Sequence, residues 1–196
     1  MHKIDKFIFY KYTKMAIYID YVWVLLNNQI QHKHICIEKN IKNINDVPIQ
    51  YLEHIELIPK SIYKDPFYIG QYIVICECYY KSIPYSSISP KTNNKKLYEI
   101  KQPYFILNNN EFDNSIFILE VTHHLHYCGI SLSYHFGLNS NEALFALHLS
   151  CPEKIWTQIW LCKYIILMCA KQYNYKILFD IMEKEDYIDS FNKMKL

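Results

Sequence analysis

The sequence predicts an α+β chain of two lobes, and three features carry that expectation. Residues 16–81 read as β-rich runs with little helical spacing, whereas residues 102–182 mix short strands with two segments whose apolar positions recur at helical intervals. Between them, residues 82–101 are rich in serine, proline, asparagine and lysine, the composition of an exposed linker. Residues 1–15 read as a short amphipathic arm or helix and residues 183–196 as a tail.

The elements follow in order. Residues 18–26 and 30–38 are β-rich runs separated by Asn27, Asn28 and Gln29, which predicts an antiparallel hairpin with His32 and His34 on one face. Residues 48–59 read as a connection with a helical turn, and 60–66 and 72–80 as two further strands. In the second lobe, 104–107 is a short strand and 115–128 a helix that Gly129 stops. Strands at 130–136 and 143–149, a helix from Pro152 to about Tyr173 and a strand at 176–180 complete the reading. The apolar window 155–170 contains Gln158 and Lys163 and is shorter than the ~20 residues that cross a bilayer, so it reads as a buried helix.

Composition narrows the chemistry. The chain has 196 residues, 51% of them hydrophobic, enough for a core, and a formal charge of +2 that does not announce a nucleic-acid binder. All 21 basic residues are lysine; arginine, whose fork grips carboxylate and phosphate bidentately, is absent. The 7 cysteines, without a secretory signal ahead of them, suit reduced and mostly buried thiols in a cytoplasmic protein. The chain offers no membrane span.

Several stretches, in colinear order, resemble the eukaryotic-type glutamine synthetase family over about residues 16–180. Tyr21-Val22-Trp23-Val24 is similar to the family's Tyr-Ile-Trp-Ile strand, and Ile62-Tyr63-Lys64-Asp65-Pro66-Phe67 to its Tyr-Arg-Asp-Pro-Phe segment. Pro103-Tyr104-Phe105 resembles Pro-Trp-Phe, and Tyr127-Cys128-Gly129-Ile130-Ser131-Leu132-Ser133 resembles Tyr-Ala-Gly-Ile-Asn-Ile-Ser. Trp160, Lys163, Tyr164 and Ile165 stand as the family's Trp-x-x-Arg-Tyr-Ile does, and Phe179-Asp180 as its Phe-Asp. The resemblance implies a β-grasp-like first lobe and a truncated second lobe of antiparallel sheet backed by helices.

It also implies what is missing. The family phosphorylates glutamate with ATP, using divalent metals held by carboxylates and cationic clamps on phosphate. Where its Glu-x-Glu strand carries two metal ligands, this chain has Asn108 and Asn110, which keep the shape without the charge. A one-residue slip offers only Glu111. Where the family has Asn-Gly-Glu, this chain has Phe136-Gly137-Leu138, and the sequence stops before the family's phosphate-binding arginines. The expectation is a non-catalytic, glutamine-synthetase-like pseudoenzyme with no catalytic residues, cofactor, small-molecule substrate or dedicated metal site.

Other clusters admit two readings each. His123, His124, His126 and Cys128 lie on one helix, and His124 and Cys128, four apart, are the candidate pair for a metal; the alternative is that they decorate an ordinary helix. Cys76 and Cys78 share a strand face and read as core thiols. Lys91, Lys95, Lys96 and Lys101, with Tyr98, are interaction candidates or a solvated loop. Ile188 and Phe191 in the tail suit docking on a partner or on the chain's own second lobe. Synthetase subunits assemble through lobe-to-lobe contacts, so the expected partner is protein: a second copy in a homodimer, or a large assembly such as the ribosome, bridged or silenced in hibernation. The alternatives are a sensor that keeps a nucleotide or glutamate pocket, and residual synthetase activity.

Overall fold

A computed structural model of the chain describes residues 16–85, 99–107, 114–139, 141–148 and 154–179. The arm predicted at 1–15 and the tail at 183–196 lie outside them. The fold is α+β, as the sequence predicts, and divides into two units between Ser87 and Ile88.

The first unit is a mixed sheet of β1 (Ile17–Val24), β2 (Ile30–Ile37), β3 (Gln50–Leu52), β4 (Ile55–Lys64), β5 (Tyr72–Tyr80) and β6 (Ile83–Pro84). Its order is β2-β1-β5-β4-β3, with β6 paired to β5. The strands β1 and β5 lie parallel at the centre and every other pairing is antiparallel. Central strands read as near-continuous apolar runs because both faces are covered, and Ile73, Val74, Ile75 and Cys76 are all buried. Ile19, Tyr21 and Trp23 of β1 share one face with Leu57, Val74, Cys76 and Cys78, over which Ile41 and Val47 pack. The β1–β2 hairpin turns through Asn28 at φ +61°, a left-handed conformation that asparagine tolerates.

Two expectations in this unit need correction. The span 48–59 is not a plain connection: it holds β3 and the start of β4, and the helical turn comes earlier, a single 3-10 turn at Ile44–Asp46 capped by Asn43. Pro59 is accommodated within β4 where the β4–β5 register shifts, between Pro59 and Ser61, so its missing N–H interrupts no regular ladder. The predicted linker 82–101 is strand at both ends, in β6 and at the start of β7.

The second unit contains β7 (Glu99–Leu107), α1 (Ser115–Tyr127), β8 (Leu132–Asn139), β9 (Glu142–His148), α2 (Ile155–Gln172) and β10 (Lys176–Phe179). The sheet is antiparallel throughout, in the order β10-β7-β9-β8. The helices pack on each other and on one face of it. That face is built by alternation: Tyr104 and Ile106 of β7, Ala143, Phe145 and Leu147 of β9 and Ile177 of β10 are buried. Against it α1 sets Phe117, Val121 and Leu125, and α2 sets a nearly all-round apolar surface including Ile159, Leu161, Cys162, Ile165 and Ile166. Such a helix belongs in a core. Among the described residues no helix is long and apolar enough to cross a membrane.

The C-terminus of α1 ends as the sequence indicates. Gly129 sits at φ +79° and donates its N–H to the His126 carbonyl at 2.9 Å, while Ile130 donates to Leu125 at 3.0 Å. A Cβ at Gly129 would meet nothing within 4 Å, so only backbone strain opposes a side chain there. Gly129→Ala is therefore expected to cost about 1–2 kcal/mol in urea denaturation. A loss several times larger would point to a steric role instead.

A polar tie joins α1 to the sheet. Thr122 Oγ1 donates to the Ile118 carbonyl at 2.7 Å, so toward His135 it can only accept, and His135 Nδ1 carries the proton across their 2.8 Å contact. His135 Nε2 then accepts from the Tyr104 hydroxyl at 2.7 Å. Desolvation beside the sheet pushes the imidazole down to about 4, so it is neutral in the fold. An unfolded histidine titrates near its ordinary value of 6.5. Between that pH and about 4 the unfolded chain binds the extra proton and stability falls as pH falls, by up to roughly 3 kcal/mol at the acid end. Denaturation midpoints measured across this window should drop for the native chain and drop less for His135→Gln. Parallel curves would remove His135 as the cause.

Candidate functional site

The helices cover one face of the second sheet, and the same alternation puts a different set of side chains on the other. In β7 these are Pro103, Phe105 and Leu107, in β9 Leu144, in β10 Leu178 and in β8 Phe136 and Leu138. The register aligns them in rows: Phe105 pairs with Leu178 on one side, and Leu144 lies between Pro103 and Phe136. Phe105, Leu107, Phe136, Leu138 and Leu178 are each 38–47% exposed, three of them on β7 and β10 and two on β8, with Leu144 and Glu142 of β9 between. Glu142 of β9 and Lys176 of β10 share this face, beside Phe105 and Leu107 respectively.

The residues singled out from the sequence distribute unevenly. Phe136 and Leu138 stand on this open face. Asn108, Asn110 and Glu111, Lys91, Lys95, Lys96 and Tyr98, and Ile188 and Phe191 lie outside the described residues. Lys101 falls within β7 and not in a loop; its side chain is outside the described set. Cys76 and Cys78 are buried in the first unit's core, where burial pushes both thiols up, as expected of inert core cysteines.

The histidine cluster of α1 splits. His123 and His126 face solvent, whereas His124 turns toward α2. Cys128, its sequence-predicted partner, is buried at the C-cap and stands outside the group that gathers round His124. That group is Glu120, one turn before His124 on α1, and Cys169 on α2, with the three ligand atoms within 4.8 Å of one another. Glu120 Oε1 lies 3.5 Å from His124 Nε2, and the other Glu120 oxygen accepts a hydrogen bond from the Tyr173 hydroxyl. That bond pushes the Tyr173 phenol up to about 12. Burial, with the Glu120 charge second, pushes the Cys169 thiol up to about 12. The Glu120–His124 spacing was visible in the sequence, but Cys169 and Tyr173 sit some fifty residues away and only helix packing brings them in.

In the first unit, Asp20 of β1 is buried and its Oδ1 lies 2.8 Å from His34 Nδ1 and 3.8 Å from His32 Nδ1, so the two histidines do share a face around one carboxylate. His34 also stacks on Tyr18, ring centroids 5.1 Å apart. In the second unit, Lys163 is buried with its Nζ 4.9 Å from the Trp160 ring and 5.1 Å from the Phe179 ring, and desolvation pushes its ammonium down to about 8. The chain matches no family model and no curated protein.

Proposed function

We propose that the chain is a non-catalytic, glutamine-synthetase-like protein that works by binding protein, first as a homodimer and then as an assembly factor on a larger complex. The observation that carries this reading is the open face of the second sheet. Phe136 and Leu138, which occupy the positions of a polar Asn-Gly-Glu loop in the resemblance, stand exposed there beside Phe105, Leu107 and Leu178. Phosphate or glutamate on this face would be desolvated against apolar side chains with no arginine anywhere in the chain to hold it. A second apolar sheet face suits it better, since two sheets stack about 10 Å apart through side chains of this kind.

A second copy supplies such a face by symmetry, because a two-fold interface uses the same patch twice. Glu142 and Lys176, one acidic and one basic on the same face, give that pairing a means of fixing register. Among larger assemblies the ribosome is the partner we favour, for the lysine-rich composition of residues 82–101.

Sedimentation velocity at micromolar concentration tests the dimer. The native chain should run as a dimer, and Phe105→Glu and Phe136→Glu should each raise the dissociation constant at least tenfold while circular dichroism stays native. A monomeric native chain, or two folded variants that dimerise normally, would defeat the reading. Calorimetry with magnesium and ATP, and a glutamyl-transferase assay, are expected to give no heat and no turnover above a blank. Pelleting with purified ribosomes, lost at high salt, is the expected behaviour of the larger assembly.

A further inference from the structure

A second arrangement lies outside the open sheet face. Glu120 and His124 on α1 and Cys169 on α2 bring a carboxylate, an imidazole and a thiol to one point between two helices.

Their geometry is close to what one small ion requires. Zinc takes nitrogen and oxygen ligands at about 2.0–2.2 Å and sulfur at about 2.3 Å, so the edges of its tetrahedron measure roughly 3.3–3.8 Å. The Glu120–His124 edge is already 3.5 Å. The widest edge in the group, no more than 4.8 Å, exceeds the tetrahedral edge by about 1 Å at most. The donor set also selects the metal. One sulfur, one nitrogen and one oxygen suit zinc and its borderline neighbours, and disfavour magnesium and calcium, which take oxygen alone.

A surrounding group holds the carboxylate ready. Tyr173 occupies one Glu120 oxygen and leaves the other turned toward His124, which is how outer hydrogen bonds orient ligands at metal sites. Tyr173 is itself wedged by rings: Phe117 lies edge-on with centroids 5.6 Å away, and Tyr175 at 5.5 Å. Cys169 is wholly buried, while Glu120 and His124 are partly exposed, so the point has a closed side and a wet side.

We propose that Glu120, His124 and Cys169 bind one zinc-class divalent ion that clips α1 to α2, with water in the fourth position on the exposed side. On binding, the Cys169 thiol gives its proton to solvent and coordinates as thiolate. The ion then replaces a carboxylate–imidazole contact and a neutral thiol with three bonds to one centre, and it links residues 49 apart in the chain.

Titration of the full, reduced chain with zinc chloride tests this, followed by calorimetry and by the thermal midpoint. One zinc per chain and a rise in midpoint are expected, with no rise from magnesium at the same concentration. Cobalt in place of zinc should give a near-ultraviolet thiolate charge-transfer band. His124→Gln, at a partly exposed position where folding is safe, and Cys169→Ser should each weaken zinc at least a hundredfold, and Cys169→Ser should abolish the cobalt band. Tyr173→Phe, which keeps all three ligands, should weaken zinc about tenfold. Cys36→Ser, an exposed thiol elsewhere, should change nothing. No saturable zinc binding, or binding that survives His124→Gln and is lost in Cys36→Ser, would overturn the proposal.

Discussion

A β-strand sends alternate side chains to opposite faces, and a sheet backed by helices on one side must do something with the other. In the second unit that constraint governs the rest. Tyr104, Ile106, Phe145, Leu147 and Ile177 face α1 and α2 and form the core, so the intervening residues are committed to the opposite surface whatever their chemistry. A one-residue slip would exchange the two sets. It is resisted by the tie from Thr122 through His135 to Tyr104, which fixes α1, β8 and β7 in one register with directional bonds. The apolar character of the open face is thus a property of the sequence that the core's own pairing forces into view.

The packing of α1 on α2 has a second consequence. Both helices are largely apolar where they are buried, with Val121, Leu125, Ile159, Ile165 and Ile166 among the buried residues. Near the C-terminal part of α2 it becomes polar, where Cys169 and Tyr173 meet Glu120 and His124. Buried polar groups at a helix interface need partners. Tyr173 and His124 partner the two Glu120 oxygens, and Cys169 lies within 4.8 Å of Glu120 and His124, the convergence on which the proposed cation site rests.

Much of the architecture was legible from local signals. The β1–β2 hairpin followed from two β-rich runs around Asn27-Asn28, the end of α1 from Gly129, and the burial of α2 from an apolar window too short to cross a bilayer. The reading failed where a local rule met a compensating context. Residues 48–59 read as a connection, yet they hold β3 and the start of β4; the lysine- and serine-rich span looked like loop throughout, yet both its ends pair into sheets. Strand β3 is three residues long and held only by its neighbour β4, too short for periodicity to register.

By itself, the sequence determined the α+β class, the periods of the main elements and the absence of arginine, because composition and spacing are local properties of the chain. Tertiary structure alone decided which face of the second sheet stays open, and that Cys169 comes from α2 to join Glu120 and His124. The reason is physical. A residue's own helix or strand fixes the direction in which its side chain points, but what it meets there depends on strand order and helix packing, set by contacts between residues far apart in the chain.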